Sequence, residues 1–259
     1  MAIAFEYLSS LIASYFWPFV RLSSMMMVMV VFGTRMMPTF IRLVFSVAVT
    51  AAIVPLLPLQ KLPFEIMSLP GFLVTIREAL IGILIGFATE FLSQTFVLAG
   101  SVVAMQTGLG FAAFMDPVNG ESVPVVGQFF STLCALVFLS IDGHIAVISM
   151  TRESFITLPP GLYLLSPSSW MEMAMFLGVM FQAAVSFALA SIVAMLVINF
   201  TFGIMTRAAP QLNIFSMGFA VSMILGIMVL WLTVTGFLSH FSSLWSRVQS
   251  LIGTVTGAL

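Results

Sequence analysis

The sequence predicts an all-α integral membrane protein, and three observations lead to that class. Of the 259 residues, 61% are hydrophobic and only 7% are charged, and the mean hydropathy is +1.20. An average soluble domain carries about 25% charged residues, so this chain cannot cover a water-facing surface of ordinary size. The apolar residues also form runs long enough to cross a bilayer, separated by charged residues and prolines. These features exclude a soluble enzyme and a disordered protein.

About six apolar helical segments follow one another along the chain, because a spanning helix needs ~20 mostly apolar residues. They are 7–32, 43–57, 79–105, 129–150, 173–205 and 214–241. The second runs into Pro55 and Pro58, which favours one arm of a bent hairpin. The fifth is longer than a bilayer requires, which indicates tilt or extension beyond the lipid. We therefore predict a single membrane domain over 1–259, ending in an amphipathic or frayed tail at 242–259.

The basic residues do not decide the orientation of these segments. The positive-inside rule needs an excess of Lys and Arg on one side of the membrane. If the six segments cross the membrane in alternating directions, the Lys and Arg residues instead divide almost evenly between the two sides. Either partners set the topology, or not all six segments cross. One side would carry Lys61, Arg77, Arg152 and Arg247, and the other Arg35, Arg42 and Arg207.

Three of the predicted helices carry small or polar residues at every fourth position, which places them on one helix face. In lipid, helix association depends on close van der Waals contact, and such stripes let a neighbouring backbone approach. The spacing alone leaves open whether the neighbour is the same chain or another subunit. Three such faces on one modest chain favour a position between other helical subunits. The stripes are Glu78, Gly82, Gly86, Glu90 and Gln94; Gly178, Gln182, Ser186, Ala190 and Ala194; and Gly218, Ser222 and Gly226.

Glu78 and Glu90 need an explanation of their own, since a charge at the centre of a bilayer costs about 2.5–3.5 kcal/mol. One interpretation is a proton or ion relay. The other is a structural carboxylate near the interface, or one paired with Arg77 or with another subunit's arginine. No second acid–base group shares the segment, which favours the structural role. For Arg21, too, we favour a structural role over a relay. Asp142 ends an apolar segment, which is more typical of a helix terminus than of a catalytic dyad.

The sequence carries no convincing motif for catalysis or for a cofactor. HExxH, the Walker lysine loop and GxSxG do not occur. The run from Gly108 to Ala113 formally matches a dinucleotide fingerprint, but it lacks the preceding strand and the βαβ unit. His144 and His240 stand far apart, so we expect each to be an interfacial or packed histidine rather than a metal ligand. We predict no enzyme activity and no cofactor.

The stretch 106–117 is the strongest candidate for a functional loop. Two glycines give its backbone freedom, and an Asp-Pro pair ends it in a turn. Apolar side chains on such a loop can block an aqueous passage and yield when a substrate pushes through. A lipid-dipping or core-packed loop is the alternative. Twenty methionines supply deformable surface that favours the gate. The predicted gate residues are Gln106, Gly108, Gly110, Phe111, Phe114, Met115, Asp116 and Pro117.

This loop and a second motif make the sequence resemble a known family. Residues 105–112 read MQTGLGFA, and residues 206–215 read TRAAPQLNIF. Both are similar to the FliR family of flagellar biosynthesis proteins, which has counterparts in virulence type III secretion systems. The likeness spans essentially the whole chain, although Ala104 stands where the family's run has a glycine. Its most specific part is the segment that contains Arg207, Pro210, Gln211 and Asn213.

The resemblance implies a core subunit of the flagellar export gate, in the bacterial inner membrane at the flagellar basal body. One copy would assemble with FliP and FliQ into a closed spiral of bent helical hairpins, as a FliP-like part followed by a FliQ-like part. FlhB would associate with this core, and FlhA would lie beneath or around it. Unfolded flagellar proteins would pass through, with 106–124 as the plug and 207–213 as a shaped turn between two helices. Apolar helices held above the bilayer plane by neighbours would account for the even charge split.

The end of the chain is predicted to be amphipathic. Leu244, Val248, Leu251 and Val255 share one helical face, opposite serines and Arg247. Such a helix can lie at a membrane interface or dock on a partner, here FlhB.

Two other functional classes, a secondary transporter and an intramembrane protease, are alternatives to protein conduction. A self-contained secondary transporter for a small solute needs a midplane site built from broken helices and convergent polar groups. Glu78, Glu90 and Gln94 would have to form it, and the second half of the sequence offers no matching set. An intramembrane protease would need a nucleophile and a base that the sequence does not provide.

Overall fold

The computed structural model describes residues 2–34, 37–58, 66–111, 113–115, 122–161, 165–208 and 214–257. Within these ranges the fold is helical apart from one short antiparallel hairpin, which confirms the predicted class. The helices are α1 (Ala2–Val28), α2 (Thr39–Ile53), α3 (Leu69–Thr107), α4 (Val125–Ser140), α5 (Gly143–Thr157), α6 (Pro167–Ala208), α7 (Ile214–Thr235) and α8 (Phe237–Thr256). The hairpin strands are β1 (Ala113–Met115) and β2 (Ser122–Pro124).

Three helical stretches among the described residues are long and apolar enough to cross a membrane: Thr39–Leu56, which is α2 with the 3-10 turn that follows it, α3 and α6. Two bent pairs, α4 with α5 and α7 with α8, would raise the number among the described residues to five if each pair forms one span. The predicted count of six spans is not confirmed. The chain nevertheless has the composition of a multi-pass membrane protein.

Helices α3 and α6 are longer than a bilayer requires. They contain 39 and 42 residues, which at 1.5 Å per residue is about 58 and 63 Å, against a hydrocarbon core of about 30 Å. The predicted start of α3 at 79 was wrong: the helix begins at Leu69, because Arg77 and Glu78 lie inside it instead of marking its end. α6 begins with Pro167 in its first turn, where the missing N–H has no consequence.

Two of the predicted segments are each divided into two helices. α4 and α5 meet at an angle of 66°, and Asp142 between them has a left-handed φ of 57°. The carbonyl of Asp142 accepts the first hydrogen bonds of α5, from the N–H groups of Ile145 and Ala146. This confirms that Asp142 marks a helix terminus. α7 and α8 form the second pair, bent by 51° at Gly236.

Helix α2 has a polar inner face and an apolar outer face. Arg42, Ser46 and Thr50 are buried and follow one another at every fourth position. The two hydroxyl groups donate to backbone oxygens one turn earlier, at 2.7 and 2.6 Å, which removes their need for an outside partner. The outer face suits lipid contact: its exposed residues are Phe40, Ile41, Leu43, Val44, Phe45 and Val47.

The described chain separates into two compact units. Unit 1 comprises Met1–Phe91, Phe138–Phe176 and Arg247–Leu259, and unit 2 comprises Leu92–Val137 and Leu177–Ser246. α3, α4, α6 and α8 each contribute residues to both. The units are not successive pieces of chain. The single domain that the sequence predicted stays a prediction. Buried methionines fill unit 1 beside a charged cluster, whereas stacked phenylalanines fill unit 2. The aromatic cluster consists of Phe96, Phe130, Phe187, Phe237 and Phe241, with ring centroids 4.5 to 6.2 Å apart.

The C-terminal tail is an ordered part of α8 as far as Thr256. Its predicted apolar face is buried in the chain itself: Leu244 is 3% exposed and Val248 is fully buried. Ser169 of α6 donates a hydrogen bond to the carbonyl of Val255 at 3.3 Å, which holds the end of the helix within unit 1. The apolar face is thus not available to a membrane surface or to FlhB.

Candidate functional site

The predicted gate loop is a short hairpin held between two helices of unit 2. α3 ends at Thr107, and Gly108 reverses the chain with a φ of 77°. A 3-10 turn leads into β1, which pairs with β2 so that Phe114 lies opposite Val123. α4 begins at Val125, directly after β2. Both ends of the loop are therefore joined to helices, whereas the sequence predicted a flexible loop.

The structure places only some of the predicted gate residues. Gln106 is exposed in the last turn of α3, and Gly110 is half-buried in the 3-10 turn. The backbones of Phe111, Phe114 and Met115 belong to the turn and to β1. Their closing role stays a prediction, since the side chains of these three residues, and Asp116 and Pro117 entirely, lie outside the described residues.

The two glycines of the loop have different roles. Gly108 occupies the left-handed region, which favours glycine because a side chain there meets the backbone. A Cβ on Gly110 would meet its nearest atom, Met105 Cα, at 3.4 Å, which is ordinary contact. At the base of the loop, α7 packs closely on α3, because a Cβ on Gly226 would lie 2.6 Å from the Cβ of Thr107. The loop thus begins at a left-handed glycine, next to the contact between α3 and α7.

The second predicted feature, Glu78, lies in a buried charged cluster of unit 1. Arg21 of α1 donates from Nε to Glu78 Oε2 at 2.7 Å, and its Nη2 lies 2.6 Å from the same oxygen. Arg77 donates from Nη1 to Glu78 Oε1 at 2.8 Å. Glu78 and Arg21 are fully buried, and Arg77 is 6% exposed. Glu78 is therefore paired, with Arg77 as a partner that the sequence suggested and Arg21 as one that it did not identify. Its structural role stays a prediction.

The carboxyl end of α5 completes the cluster. Two guanidinium groups around one carboxylate leave a net positive charge. Arg21 donates further bonds to the carbonyls of Ser154 at 2.9 Å and Leu158 at 2.7 Å, and Arg77 to that of Pro159 at 3.0 Å. These carbonyls lie at the negative end of the helix dipole, which favours cations. Three helices are therefore joined by charge-assisted hydrogen bonds, of which those between Arg21, Glu78 and Ser154 are buried.

The first small-residue stripe is used inside unit 1. A Cβ on Gly82 would clash with the carbonyl oxygen of Arg21 and with Ser24 Oγ, and one on Gly86 would lie 2.5 Å from the carbonyl oxygen of Met25. α1 and α3 therefore pack backbone to backbone along this stripe, which settles its intramolecular use. Glu90, the next residue of the stripe, is half-buried and is not without an interaction partner.

The other two stripes differ from each other. In α7, Gly226 is covered by Thr107 and Gly218 is half-buried, so this face is used within unit 2. In α6, Gln182 and Ser186 are exposed, and nothing lies within 4 Å of a Cβ placed on Gly178. Among the described residues, the α6 stripe is thus the one that the chain leaves uncovered.

The predicted family turn is described only at its first residue. Arg207 is exposed in the last turn of α6. Pro210, Gln211 and Asn213 lie outside the described residues, so the shaped turn stays a prediction.

Comparison with known proteins identifies the family. The model described as "Bacterial export proteins, family 1" matches residues 12–248. The chain is 33% identical over 244 residues to the flagellar biosynthetic protein FliR of Pectobacterium carotovorum subsp. carotovorum, covering 94% of this chain and 93% of that protein. Identity to FliR of Escherichia coli (strain K12) is 29%, with 95% and 93% covered. Identity to FliR of Aquifex aeolicus (strain VF5) is 28%, with 88% and 86% covered. The chain belongs to family 1 of the bacterial export proteins.

Membership of export family 1 confirms the resemblance that the two motifs predicted. The match extends from α1 into α8 and therefore includes both units. With its several apolar helices, this member of the family is a multi-pass membrane protein, and it is a component of flagellar protein export.

Some residues that build the site could not be found from the sequence of this export protein. Arg21 and Glu78 are 57 positions apart, and Arg21 and Ser154 are 133 apart, so no local motif connects them. The only signal was that each charge lay near or within an apolar segment and needed a partner. The contact between Thr107 and Gly226 likewise had no signal beyond a small residue at the right stride.

Proposed function

We propose that this chain is a core subunit of the flagellar protein export gate. With FliP and FliQ it forms the passage in the bacterial inner membrane through which unfolded flagellar proteins leave the cytoplasm. FlhB and FlhA associate with the same assembly, at the flagellar basal body. The observation that carries the proposal is the match with the bacterial export proteins over residues 12–248, which leaves out only the two ends of the chain.

The hairpin between α3 and α4 supports a gate at this passage. A loop that closes a channel has to be anchored firmly and still be able to move. This hairpin is joined to helices at both ends and begins at Gly108, where a left-handed glycine gives the backbone freedom. Phe111, Phe114 and Met115 are proposed to close the passage at rest, and Asp116-Pro117 to shape its tip. The passing chain would displace the hairpin, so no bond is made or broken.

The α6 stripe supports a partner subunit. Within lipid, a helix face with small residues is stabilised by the close approach of another helix. The chain covers its stripes on α3 and α7 but leaves Gly178, Gln182 and Ser186 open. We assign this face to contact with FliP or FliQ. The length of α6, about 63 Å at 1.5 Å per residue, allows that contact to continue beyond the lipid.

Co-purification in mild detergent tests the assembly. The wild-type chain is expected to bring down two unlike hydrophobic proteins, identified as FliP and FliQ by mass spectrometry. Gly178→Phe should reduce their recovery, because the phenyl ring fills the open face without a clash in the chain itself. Gly203→Phe is the matched control: it also has nothing within 4 Å, and it lies nine residues beyond Ala194, the last residue of the stripe, which is about 14 Å along the helix. A chain recovered alone or as a homo-oligomer, carrying a small solute across vesicles, would instead identify a secondary transporter.

Ion conductance tests the gate. Deleting residues between Gly108 and Phe114 is expected to raise small-ion leakage through the assembled complex. Recovery of FliP and FliQ with the shortened chain would show that assembly persists. Unchanged conductance in such a complex would remove the plug role from this hairpin.

A further inference from the structure

The outer surface of the α7–α8 pair changes from apolar to polar at the bend. Every exposed side chain of α7 between positions 220 and 232 is apolar, and Trp231 is 67% exposed. After Leu238, every exposed side chain of α8 is polar. The change falls at Gly236, where the two helices meet at an angle of 51°. The exposed polar residues of α8 are Ser239, Ser242, Ser243, Ser246, Arg247, Ser250 and Thr254.

Helix α8 has no apolar face left for lipid, because its apolar side chains are buried in the chain itself. Phe241 is 1% exposed and Ile252 is also 1% exposed. The outer serines donate to backbone oxygens one turn earlier, Ser246 at 2.8 Å, which satisfies each hydroxyl donor but adds no apolar surface. Arg247 is exposed in the middle of this face and forms no ion pair with another described residue. A charge that faces lipid without a partner is costly.

Helix α7 does not need α8 to cross a membrane. It contains 22 residues, which at 1.5 Å per residue is about 33 Å, against a hydrocarbon core of about 30 Å. Tryptophan is enriched where the hydrocarbon meets water, and Trp231 lies about 7 Å along the helix before Gly236. The length of α7 and the position of this tryptophan both place the edge of the lipid near the bend.

The other bent pair has a related pattern. The exposed side chains of α4 carry no charge, whereas α5 exposes Arg152 and Glu153. Neither of these two forms an ion pair within the described ranges. The helices meet at 66° next to Asp142, which is itself exposed. At two separate places in the chain, a bend thus coincides with the start of an outer surface that lipid does not favour.

We propose that α8 and α5 lie outside the hydrocarbon of the membrane and present their outer faces to water. The outer face of α7 contacts acyl chains as far as Gly236, and that of α4 as far as the bend at Asp142. In this arrangement neither bent pair is a single span. The bends are the points at which the chain leaves the lipid, and the hydroxyl-rich face of α8 is an aqueous surface.

Labelling of single cysteines in the membrane tests this placement. The full chain is kept in its membrane with the chains that accompany it, and the vesicles are opened so that a sulfonated, membrane-impermeant maleimide reaches both sides. Cys134 is the chain's own single cysteine and is fully buried, so the wild-type chain gives the background. Ser246→Cys in α8 and Ser149→Cys in α5 are the test positions, both at exposed serines. The matched controls replace exposed apolar residues, Ile227→Cys in α7 and Leu136→Cys in α4.

Both test cysteines are expected to react at least about tenfold faster than the two controls, because the thiolate is the reactive form and hydrocarbon suppresses its formation. Labelling after denaturation gives the total amount of each thiol, and each rate is divided by it. A test cysteine that reacts as slowly as the controls would overturn the placement of its helix. If it reacted only in membranes without the accompanying chains, a subunit would cover that face, and the contact with water would be refuted. Fast reaction of the controls as well would refute the bends as the edge of the lipid.

Discussion

Replacing Glu78 by glutamine removes the negative charge around which Arg21 and Arg77 are arranged. The carboxylate makes three close contacts with guanidinium nitrogens, at 2.6, 2.7 and 2.8 Å, and both Glu78 and Arg21 are fully buried. Removing one partner of a buried ion pair costs about 3–5 kcal/mol, because the remaining charge stays desolvated. The amide keeps an acceptor oxygen but leaves two cations facing each other. We expect Glu78→Gln to destabilise the chain by this amount.

The loss can be measured as a thermal midpoint in detergent. For a chain of this size, about 3–5 kcal/mol corresponds to roughly 6–20 °C. Arg77→Gln should cost less, about 1–2 kcal/mol, because it removes two hydrogen bonds at the edge of the cluster and leaves Arg21 paired with Glu78. Arg152→Gln, which changes an exposed arginine on α5, should leave the midpoint within a degree or two of wild type.

Which of these two variants, Glu78→Gln or Arg77→Gln, has the lower thermal midpoint is a sharper criterion than the size of either loss. If Glu78→Gln lowered the midpoint by less than Arg77→Gln, the carboxylate would not be the centre of the cluster. A negligible effect of Glu78→Gln would mean that α1, α3 and α5 are held together by packing alone.

Two further predictions concern glycines. Gly82→Ala should cost about 1–3 kcal/mol, because the added methyl group clashes with the backbone of α1. Gly178→Ala, in open space, should be neutral or slightly stabilising by midpoint in detergent. Gly108→Ala should cost about 1–2 kcal/mol because of its left-handed φ of 77°. Gly110→Ala should be tolerated in the same assay; equal losses at 108 and 110 would show that φ is not the cause.

The helical membrane class followed directly from composition, but the helix boundaries did not. Charged residues were taken to end segments, and this rule failed at Arg42 and at Glu78, which lie inside α2 and α3. In each case the charge is turned inward, so a helix can continue past it. At Asp142 a helix does end, because the backbone there is left-handed, although the predicted apolar segment 129–150 ran past it.

The candidate site was predictable in its position and not in its contacts. The glycine-rich stretch located the hairpin, since backbone freedom is visible in residue types, and Gly108 has the expected conformation. The stride of four located faces for close packing, but Gly82 and Gly178 look alike in sequence and differ only in whether α1 lies against them. Which stripe is covered depends on tertiary arrangement, which spacing does not encode.

The charged cluster also sets an order of events during synthesis. Arg77 and its acceptor Pro159 are 82 residues apart, so at about 5–20 residues per second the ribosome needs roughly 4–16 s to supply the missing carbonyls. During that interval α1 and α3 have left the ribosome with their charges incompletely satisfied. Unit 1 is completed still later, because it includes Arg247–Leu259. A chain that stops before α8 would therefore leave unit 1 without its last segment, and it should be a target for membrane proteases.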